Sequence, residues 1–430
     1  MLAAVGTTWA LFLGIGLMML GNGLQGSLLG VRASLEGFTT VATGLVMTGY
    51  YAGFLVGSVM GPRMVRRVGH IRAFAALASM ASTAVLLHTI FLDAPTWMAM
   101  RLVTGFCYAG LYVVAESWLN HQATNETRGQ LLSIYMVVTY CGVGGGQFLL
   151  NLADPGGFQL FILVSVLVSL AVVPMLLSVH PQPSIEAPQP ISLVALYRIS
   201  PLGVVSAFGT GMANGGLFGM GAVYATTAGF PVSGIALFMA SATFGGVALQ
   251  WPIGRLSDRF DRRLVLTCVT LAAAVAAYIA VSVTGPLAGA LPAWSIFVVA
   301  ALFGGLSLPM YSLGIAHTND FLEPEQMVAA SGGLLLVGGL GAIVGPLGVA
   351  GVMQAIGPTG FFWAMGTVHA LIGAFAIYRM MARRARPLAA QGAFVAYPRT
   401  SPMAATLGPE AEAEAAPAPE GARPAQPAAE

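Results

Sequence analysis

The sequence predicts an all-α membrane protein with twelve transmembrane helices in two pseudo-symmetric six-helix halves. Of its 430 residues, 57% are hydrophobic and only 8% are charged, whereas soluble proteins carry about 25% charged residues. A bilayer core about 30 Å thick needs about 20 apolar residues per helix, so twelve such segments fit within residues 1–380. Two arginine-rich loops, Gly61–His70 and Gly254–Arg263, follow the second apolar segment of each half, which indicates a duplicated unit.

The apolar segments divide the chain into four parts. The predicted spans cover about 6–29, 41–61, 72–92, 96–118, 130–150, 158–179, 202–228, 233–253, 264–284, 293–316, 328–352 and 360–380. The parts are an N-terminal half at 1–180, a Pro-rich cytoplasmic linker at 181–200, a C-terminal half at 201–380 and a tail at 381–430. The tail is rich in Ala, Pro and Glu and has little to bury, so it is expected to be disordered and cytoplasmic.

The arginines predict the orientation of the chain in the membrane. Every basic residue is Arg, and only Arg32 and Arg101 fall towards the outside when both termini are placed in the cytoplasm. Positive charge favours the cytoplasmic side. No Arg or Lys precedes Arg32, so the first apolar segment is expected to be a retained helix rather than a secretory signal. The predicted location is a bacterial cytoplasmic (inner) membrane, crossed several times.

Composition also excludes several classes of function. The three cysteines Cys107, Cys141 and Cys268 fall in apolar segments at unrelated spacings, which predicts neither a disulfide framework nor a metal site. The glycine-rich stretches lack the Lys-Ser/Thr of a nucleotide-binding loop, and the arginines form no basic face for nucleic acid. No cluster of intramembrane His, Asp, Glu or Ser indicates an enzyme. Two parallel six-helix units with a substrate site between them are typical of secondary transporters.

Two motifs resemble those of the major facilitator superfamily. The loop Gly254-Arg-Leu-Ser-Asp-Arg-Phe-Asp-Arg-Arg263 is similar to the family's signature after the second helix of a half, with Asp261 at the usual glycine. Arg101-Leu-Val-Thr-Gly105 resembles the family's Arg-x-x-x-Gly motif, and Gly341-Ala-Ile-Val-Gly-Pro346 partly resembles its antiporter element. The N-terminal signature departs from the pattern, since Arg66 stands where the acid is expected.

Longer stretches resemble the YcaD-like bacterial branch of that family. They are Arg66–Arg72, Arg101–Asn120, Asn125–Gly129 and Glu323–Ser331. The resemblance covers about residues 5–380. It implies the fold and the general activity of the family but no particular substrate.

The fourth helix carries a polar stripe that either faces a cavity or marks the two membrane interfaces. Arg101, Gly105, Tyr108, Tyr112 and Glu116 recur at helical spacing. Arg101 and Glu116 are about 22 Å apart along the helix, so each needs its own partner or water. Arg101 at the outer headgroups and Glu116 at the inner polar rim are the alternative placement.

The family resemblance implies that helices one, four, seven and ten line a central cavity. The candidate substrate-binding residues on these helices are Asn22, Gln25, Arg101, Tyr108, Tyr112, Asn214 and Tyr311. Hydrogen bonds between helices are the alternative role of the amides. Few charges together with several amides and phenols favour a neutral or amphipathic organic substrate.

Proton coupling requires a titratable group that reaches both sides of the membrane in turn. The candidates are Glu116, Asp93, His88 and His369. Histidine titrates near neutral pH, but a lone intramembrane histidine is also a common packing residue. Facilitated diffusion therefore remains an alternative to proton coupling.

The family resemblance also implies a cytoplasmic gate made of charged loop residues. The candidates are Arg66, Arg67, Gly69, Arg128, Asp258, Arg259, Arg262, Asp320, Glu323 and Glu325. Asp258 is expected to meet the start of helix five at Arg128. Arg66 or Arg67 is expected to pair with the acids before helix eleven when the gate is shut. The alternative is that these arginines fix topology and contact lipid phosphates.

The sequence therefore predicts a secondary active transporter of small organic molecules that works by rocker-switch alternating access and performs proton-linked efflux. Uptake or facilitated diffusion of a sugar-like or metabolite substrate is one alternative. A non-transporting membrane sensor or assembly partner is a second, from a different class. The expected partners are the substrate, protons and the lipid bilayer, with no cofactor, metal or nucleic acid, and the protein is expected to be a monomer.

Overall fold

The computed structural model describes residues 2–124, 126–177, 191–285, 290–382 and 386–407, and they are almost entirely helical. The helices are α1 (Leu2–Leu35), α2 (Thr40–Val68), α3 (His70–Ile90), α4 (Ala94–Gln122), α5 (Arg128–Phe148), α6 (Gln159–Leu177), α7 (Leu193–Ile199), α8 (Pro201–Thr227), α9 (Val232–Arg259), α10 (Arg262–Thr284), α11 (Ser295–Ser307), α12 (Met310–Asn319), α13 (Pro324–Ile356) and α14 (Gly360–Ala382). Within the described residues, eleven helical spans are long and apolar enough to cross a membrane, or twelve if α7 and α8, bent by 115°, count as one. The prediction of a helical membrane protein is confirmed.

The N-terminal arginine-rich stretch is helical rather than a loop. Arg66 and Arg67 lie in the last turn of α2, which ends at Gly69 with a φ of +93°. Glycine adopts this conformation without steric strain, so the chain turns directly into α3. Cations in the last turn of a helix interact favourably with its dipole.

The first six helices pack in an order that the later helices repeat. α2 packs on α4 as α9 packs on α11, and α1 packs on α5 as α8 packs on α13. The first contact in each set depends on glycine. A Cβ atom on Gly105 of α4 would lie 1.9 Å from the carbonyl oxygen of Tyr50, and one on Gly304 of α11 would lie 2.0 Å from that of Ala242. The helix backbones therefore touch at matching places in the two groups.

The two groups of helices meet at one end of the bundle. We call the end that carries the α2–α3 and α9–α10 turns the motif end, and the opposite end the far end. Towards the far end, Gly30 of α1 lies against Val223 of α8. The Thr48 hydroxyl of α2 donates to the Ile343 carbonyl of α13 at 3.1 Å. The far end is therefore closed by direct packing of the two groups.

At the motif end, a stretch of the chain after α14 lies between the two groups. Residues 391–407, which we call the C-terminal segment, contact α4 and α5 on one side and α12 and α13 on the other. This differs from the disorder expected for all of 381–430. The segment carries Phe394, Tyr397 and Met403 and no acidic residue, so it has side chains to bury, whereas the Glu-rich stretch begins after it.

The remaining tail residues, 408–430, lie outside the described residues, as do 383–385. The predicted linker at 181–200 is described only from residue 191 onward. That described part is not simply a Pro-rich linker, because it contains the short helix α7.

Candidate functional site

A cavity lies between the two helix groups, near the middle of the bundle. Its unfilled volume is about 210 Å³ with the C-terminal segment in place. The predicted residues Asn22, Arg101 and Tyr112 line it from the first group, and Asn214 and Tyr311 line it from the second. Both groups therefore contribute polar side chains to one space.

Two of the predicted ligands do not line this cavity. Gln25 is fully buried in α1, and neither polar atom of its side chain has a hydrogen-bond partner among the described residues. Tyr108 is also fully buried, and its hydroxyl lies 3.5 Å from the Met18 carbonyl oxygen of α1. Only part of a helical stripe faces a cavity. Tyr112 therefore lines the cavity, whereas Tyr108, one turn away on the same stripe, does not.

Arg101 is the cation of the cavity. Only 4% of its surface is exposed, and its guanidinium lies 4.4 Å from the centre of the Tyr50 ring. Among the described residues it forms no ion pair with an acid. A cation–π contact replaces part of its hydration, and the rest of its charge remains available to a ligand.

Aromatic side chains that the sequence analysis did not single out complete the wall. Tyr50, Tyr51 and Phe54 of α2 and Tyr140 of α5 line the cavity. The resemblance implied helices one, four, seven and ten only, and this caused the omission. The repeat of aromatic residues at positions 50 and 54, one helical turn apart, was the available signal.

The amides in and around the cavity contact neighbouring helices. The Asn22 side chain of α1 interacts with the hydroxyl groups of Tyr50 and Tyr112. Gln147 of α5 accepts a hydrogen bond from the Ser27 hydroxyl of α1. These contacts hold α1 against α2, α4 and α5, and they also present polar edges to the cavity.

Glu116 is the buried carboxylate nearest to the cavity. It is fully buried in α4 and accepts a hydrogen bond of 2.6 Å from the Tyr135 hydroxyl of α5. The hydroxyl groups of Thr400 and Ser401, both in the C-terminal segment, donate to its two oxygens. The carboxylate thus joins the first helix group to the C-terminal segment.

The other proton-coupling candidates lie away from the cavity. His88 contacts the Ala84 carbonyl at 2.7 Å and packs between aromatic rings. His369 contacts the Met365 carbonyl at 2.9 Å and the Ser307 hydroxyl at 3.0 Å. Asp93 caps α4 by accepting the Thr96 N–H at 2.9 Å. Each has a packing or capping role within one helix group.

The predicted gate pairs between the two helix groups are not formed in this conformation. Arg66 and Arg67 are exposed and form no ion pair with a described acid. Arg128 at the start of α5 donates to Asn120 and to the Thr406 carbonyl of the C-terminal segment, and it makes no contact with Asp258. The C-terminal segment occupies the space between the two sets of charges.

The remaining gate candidates are near these residues but have no partner across the groups. Arg259 and Glu325 are exposed, and Gly69 forms the turn described above. Glu323 is the N-cap residue of α13, and its backbone N–H donates to the Gln326 side chain at 3.4 Å.

Arg262 forms a buried polar network within the second group. Its guanidinium donates to Asp320 at 2.7 Å, to the Ala316 carbonyl at 2.8 Å and to the Ser257 hydroxyl at 2.9 Å. Burial raises the pKa of the Asp320 carboxyl, and the adjacent Arg262 charge opposes that rise. Arg262 also lies 3.6 Å from the Asp258 carboxylate and donates to the Gly392 carbonyl at 2.6 Å, so this network also reaches the C-terminal segment.

The C-terminal segment contributes a second cation to the cavity. Arg399 lines the cavity and lies 4.8 Å from the centre of the Tyr311 ring. It donates to the Thr210 carbonyl of α8 at 2.9 Å. Each helix group thus presents one tyrosine ring to one guanidinium, Tyr50 to Arg101 and Tyr311 to Arg399.

A family model now identifies the arrangement of helices. The model of the Major Facilitator Superfamily matches residues 11–293 and 206–408, which together cover most of the chain. The chain belongs to the Major Facilitator Superfamily. Both the predicted family and the predicted likeness to the YcaD-like branch are confirmed, and as a member of this family the chain is a membrane transporter.

Relatives and solved structures agree with this family. The chain is 28% identical over 343 residues to a protein of Escherichia fergusonii named as an uncharacterized MFS-type transporter, YcaD, covering 79% of this chain and 87% of that one. It is 27% identical to the YcaD protein of Salmonella newport, covering 80% and 88%.

Two solved structures share the fold at low sequence identity. The nucleoside transporter NupG matches with a TM-score of 0.68 at 13% identity, covering 87% of this chain and 98% of that one. A bacterial homologue of the human lysosomal transporter Spinster, inward-facing and occupied, matches with a TM-score of 0.69 at 15% identity, covering 90% and 98%.

Proposed function

We propose that the protein is a secondary transporter that exports small amphipathic organic molecules by rocker-switch alternating access, coupled to proton entry. The observation that carries this proposal is the cavity between the two helix groups. It is lined from both groups and closed at the far end by packing of α1 on α8 and of α2 on α13. A site between two groups that rock against each other can be exposed to each side in turn.

The motif end faces the cytoplasm in this proposal. Four arginines lie at that end, namely Arg66, Arg67, Arg259 and Arg262. Arg32 lies at the far end, in the last turn of α1, and pairs with Glu36 at 2.6 Å. Excess arginine on one side favours placing that side in the cytoplasm. The two groups are then separated on the cytoplasmic side, where the C-terminal segment lies between them, and the outer exit of the cavity is packed shut.

The lining of the cavity supports a substrate with a flat apolar body and one hydrogen-bond acceptor or weak acid. The rings of Tyr50, Tyr51 and Phe54 offer surfaces for stacking, and the side chain of Asn214 offers an amide. Arg101 has no acidic partner among the described residues. Its free donors favour an acceptor group at that end of the ligand.

Glu116 is the proposed proton-coupling group. It is buried, lies between the cavity and the motif end, and its side-chain partners among the described residues are hydroxyl groups. A carboxylate without a fixed cation can take up a proton when its surroundings change. His88, His369 and Asp93 have hydrogen-bond partners away from the cavity, which favours Glu116 among the four candidates.

Flux in proteoliposomes tests transport and coupling together. Ligands are first found by thermal shift on purified protein, from a panel that includes nucleosides, aromatic acids and lipophilic amines. We expect an imposed pH gradient to speed flux of a bound ligand by about tenfold or more, and Glu116→Gln to remove that acceleration. Asp93→Asn is the matched control, because it changes a carboxylate in the same helix that only caps it.

Each outcome of this experiment decides one part of the proposal. If flux is equal with and without the gradient, coupling through Glu116 is wrong and facilitated diffusion replaces it. If Asp93→Asn rather than Glu116→Gln removes the acceleration, the coupling group has been misassigned. If ligands bind without any flux, the protein is a sensor rather than a transporter.

A further inference from the structure

The C-terminal segment makes polar contacts with residues of both helix groups. It contacts both helix groups, so its position is determined from two sides. On the side of the second group, Phe394 donates its N–H to Asp258 at 2.7 Å. The Ser312 hydroxyl of α12 accepts the Tyr397 N–H at 3.0 Å and donates to the Tyr397 carbonyl at 3.3 Å.

The apolar residues of the segment fill gaps between helices. The ring of Phe394 lies against Gly254 of α9, where an added Cβ atom would meet it at 2.4 Å. Tyr397 and Met403 are each only 4% exposed. Burial of these apolar side chains stabilises the bound position of the segment.

The centre of the segment occupies polar groups that the proposed substrate and proton need. Arg399 lies over Tyr311, and the hydroxyl groups of Thr400 and Ser401 bind Glu116. With the segment in place the unfilled cavity measures about 210 Å³. Pockets for drug-sized ligands have volumes of about 300 Å³ or more, so the bound segment leaves too little room for such a ligand.

We propose that residues 391–407 are an internal ligand of the central cavity, which blocks it and holds the two helix groups apart at the motif end until the segment leaves. The blocking role rests on the proposed transport function. Binding of the segment in the cavity does not depend on that function. The segment contacts Glu116 and Arg128 in the first group and Ser312 and Asp258 in the second. The groups cannot meet at this end while the segment lies between them.

A single cysteine in the cavity tests this without any substrate. The reporter chain carries Thr139→Cys, a change at a cavity-lining residue, with Cys107→Ala, Cys141→Ser and Cys268→Ser. The full-length protein is placed in lipid nanodiscs, which expose both faces, and is labelled with fluorescein maleimide. Labelling is expected to be slow, because the far end is packed and the segment fills the other entrance.

The decisive variant loosens the segment without shortening the chain. Arg399→Ala with Thr400→Val and Ser401→Ala removes the contacts to Tyr311, Thr210 and Glu116, and is expected to speed labelling by about tenfold or more, since each lost hydrogen bond raises the open population. Ala393→Ser changes an exposed residue of the same segment and should label at the rate of the parent chain. The melting temperature of each variant confirms that it is folded.

Truncations and a peptide give an independent result. Truncation after Ala390 should label as fast as the triple variant, and truncation after Leu407 should remain slow. A synthetic peptide of residues 391–407 should slow labelling of the shorter chain again, whereas the same peptide with the three substitutions should not. Equal labelling rates for the parent, the triple variant and the chain ending at Ala390 would overturn the proposal.

The result is separate from the question of transport. Fast labelling of the loosened chain with no flux for any ligand supports the internal ligand and removes the transport proposal. Flux through the parent chain, together with labelling rates that do not depend on the segment, supports the transport proposal and removes the internal ligand.

Discussion

The two helix groups use the same position at the motif end in different ways. The first residue of α3 is His70, and the first residue of α10 is Arg262. The His70 ring stacks on Trp118 with the ring centres 5.9 Å apart, whereas Arg262 donates to Asp320 and to the Gly392 carbonyl. A repeated helix order therefore does not imply a repeated local chemistry.

The two groups share the positions of their close helix contacts but differ at the turns of the motif end. Helix packing in the membrane depends on close backbone contacts, and both groups retain them at Gly105 and Gly304. The turns at the motif end are free of that constraint. In the second group, the turn carries a polar network that extends to the C-terminal segment. In the first group, the arginines at the turn are exposed.

The largest loss of stability is expected when Arg262, a buried arginine of the second group, is replaced. Arg262→Ala leaves the buried Asp320 carboxyl without its guanidinium partner, with the Gly392 N–H still donating to it at 3.0 Å, and should lower the free energy of unfolding by about 3 kcal/mol. Equilibrium unfolding in mixed micelles measures the change. Arg259→Ala, which removes an exposed arginine three residues earlier, should leave stability unchanged. Equal losses in both variants would contradict the structural role given to Arg262.

A smaller effect is expected where the two groups are alike. Gly105→Ala and Gly304→Ala each place a methyl group against a carbonyl oxygen of the neighbouring helix, which should cost about 1–3 kcal/mol by overpacking. The two losses should be similar in size, since the contacts match. Gly129→Ala is the control, because nothing lies within 4 Å of an added Cβ atom there. A large loss in one group only would mean that the matching contacts do not carry equal strain.

Composition and hydropathy pattern were sufficient to predict the helical membrane fold, and the resemblance of motifs was sufficient to predict the family. Five of the seven predicted ligands line the cavity, since a family resemblance identifies which helices face it. Gln25 and Tyr108 do not line it, because helical spacing does not determine which part of a stripe is covered by the next helix. The C-terminal segment was missed for a different reason. Its Ala and Pro content resembles that of the tail beyond it, and it differs from that tail by its lack of Glu and by apolar residues such as Phe394, Tyr397 and Met403.

The smallest effect on stability is expected when an arginine at the turn of the first group is replaced. The same replacement tests whether that arginine takes part in gating. Arg66 is exposed and unpaired in this conformation, so Arg66→Glu should not change the melting temperature measurably. If Arg66 pairs with Glu323 when the motif end closes, however, Arg66→Glu and Glu323→Arg should each reduce flux, and the double variant should recover it. Flux that stays low in the double variant would rule out this pair. The arginines of the first group would then serve only to orient the chain, and gating would depend on the second group and on the segment that lies beside it.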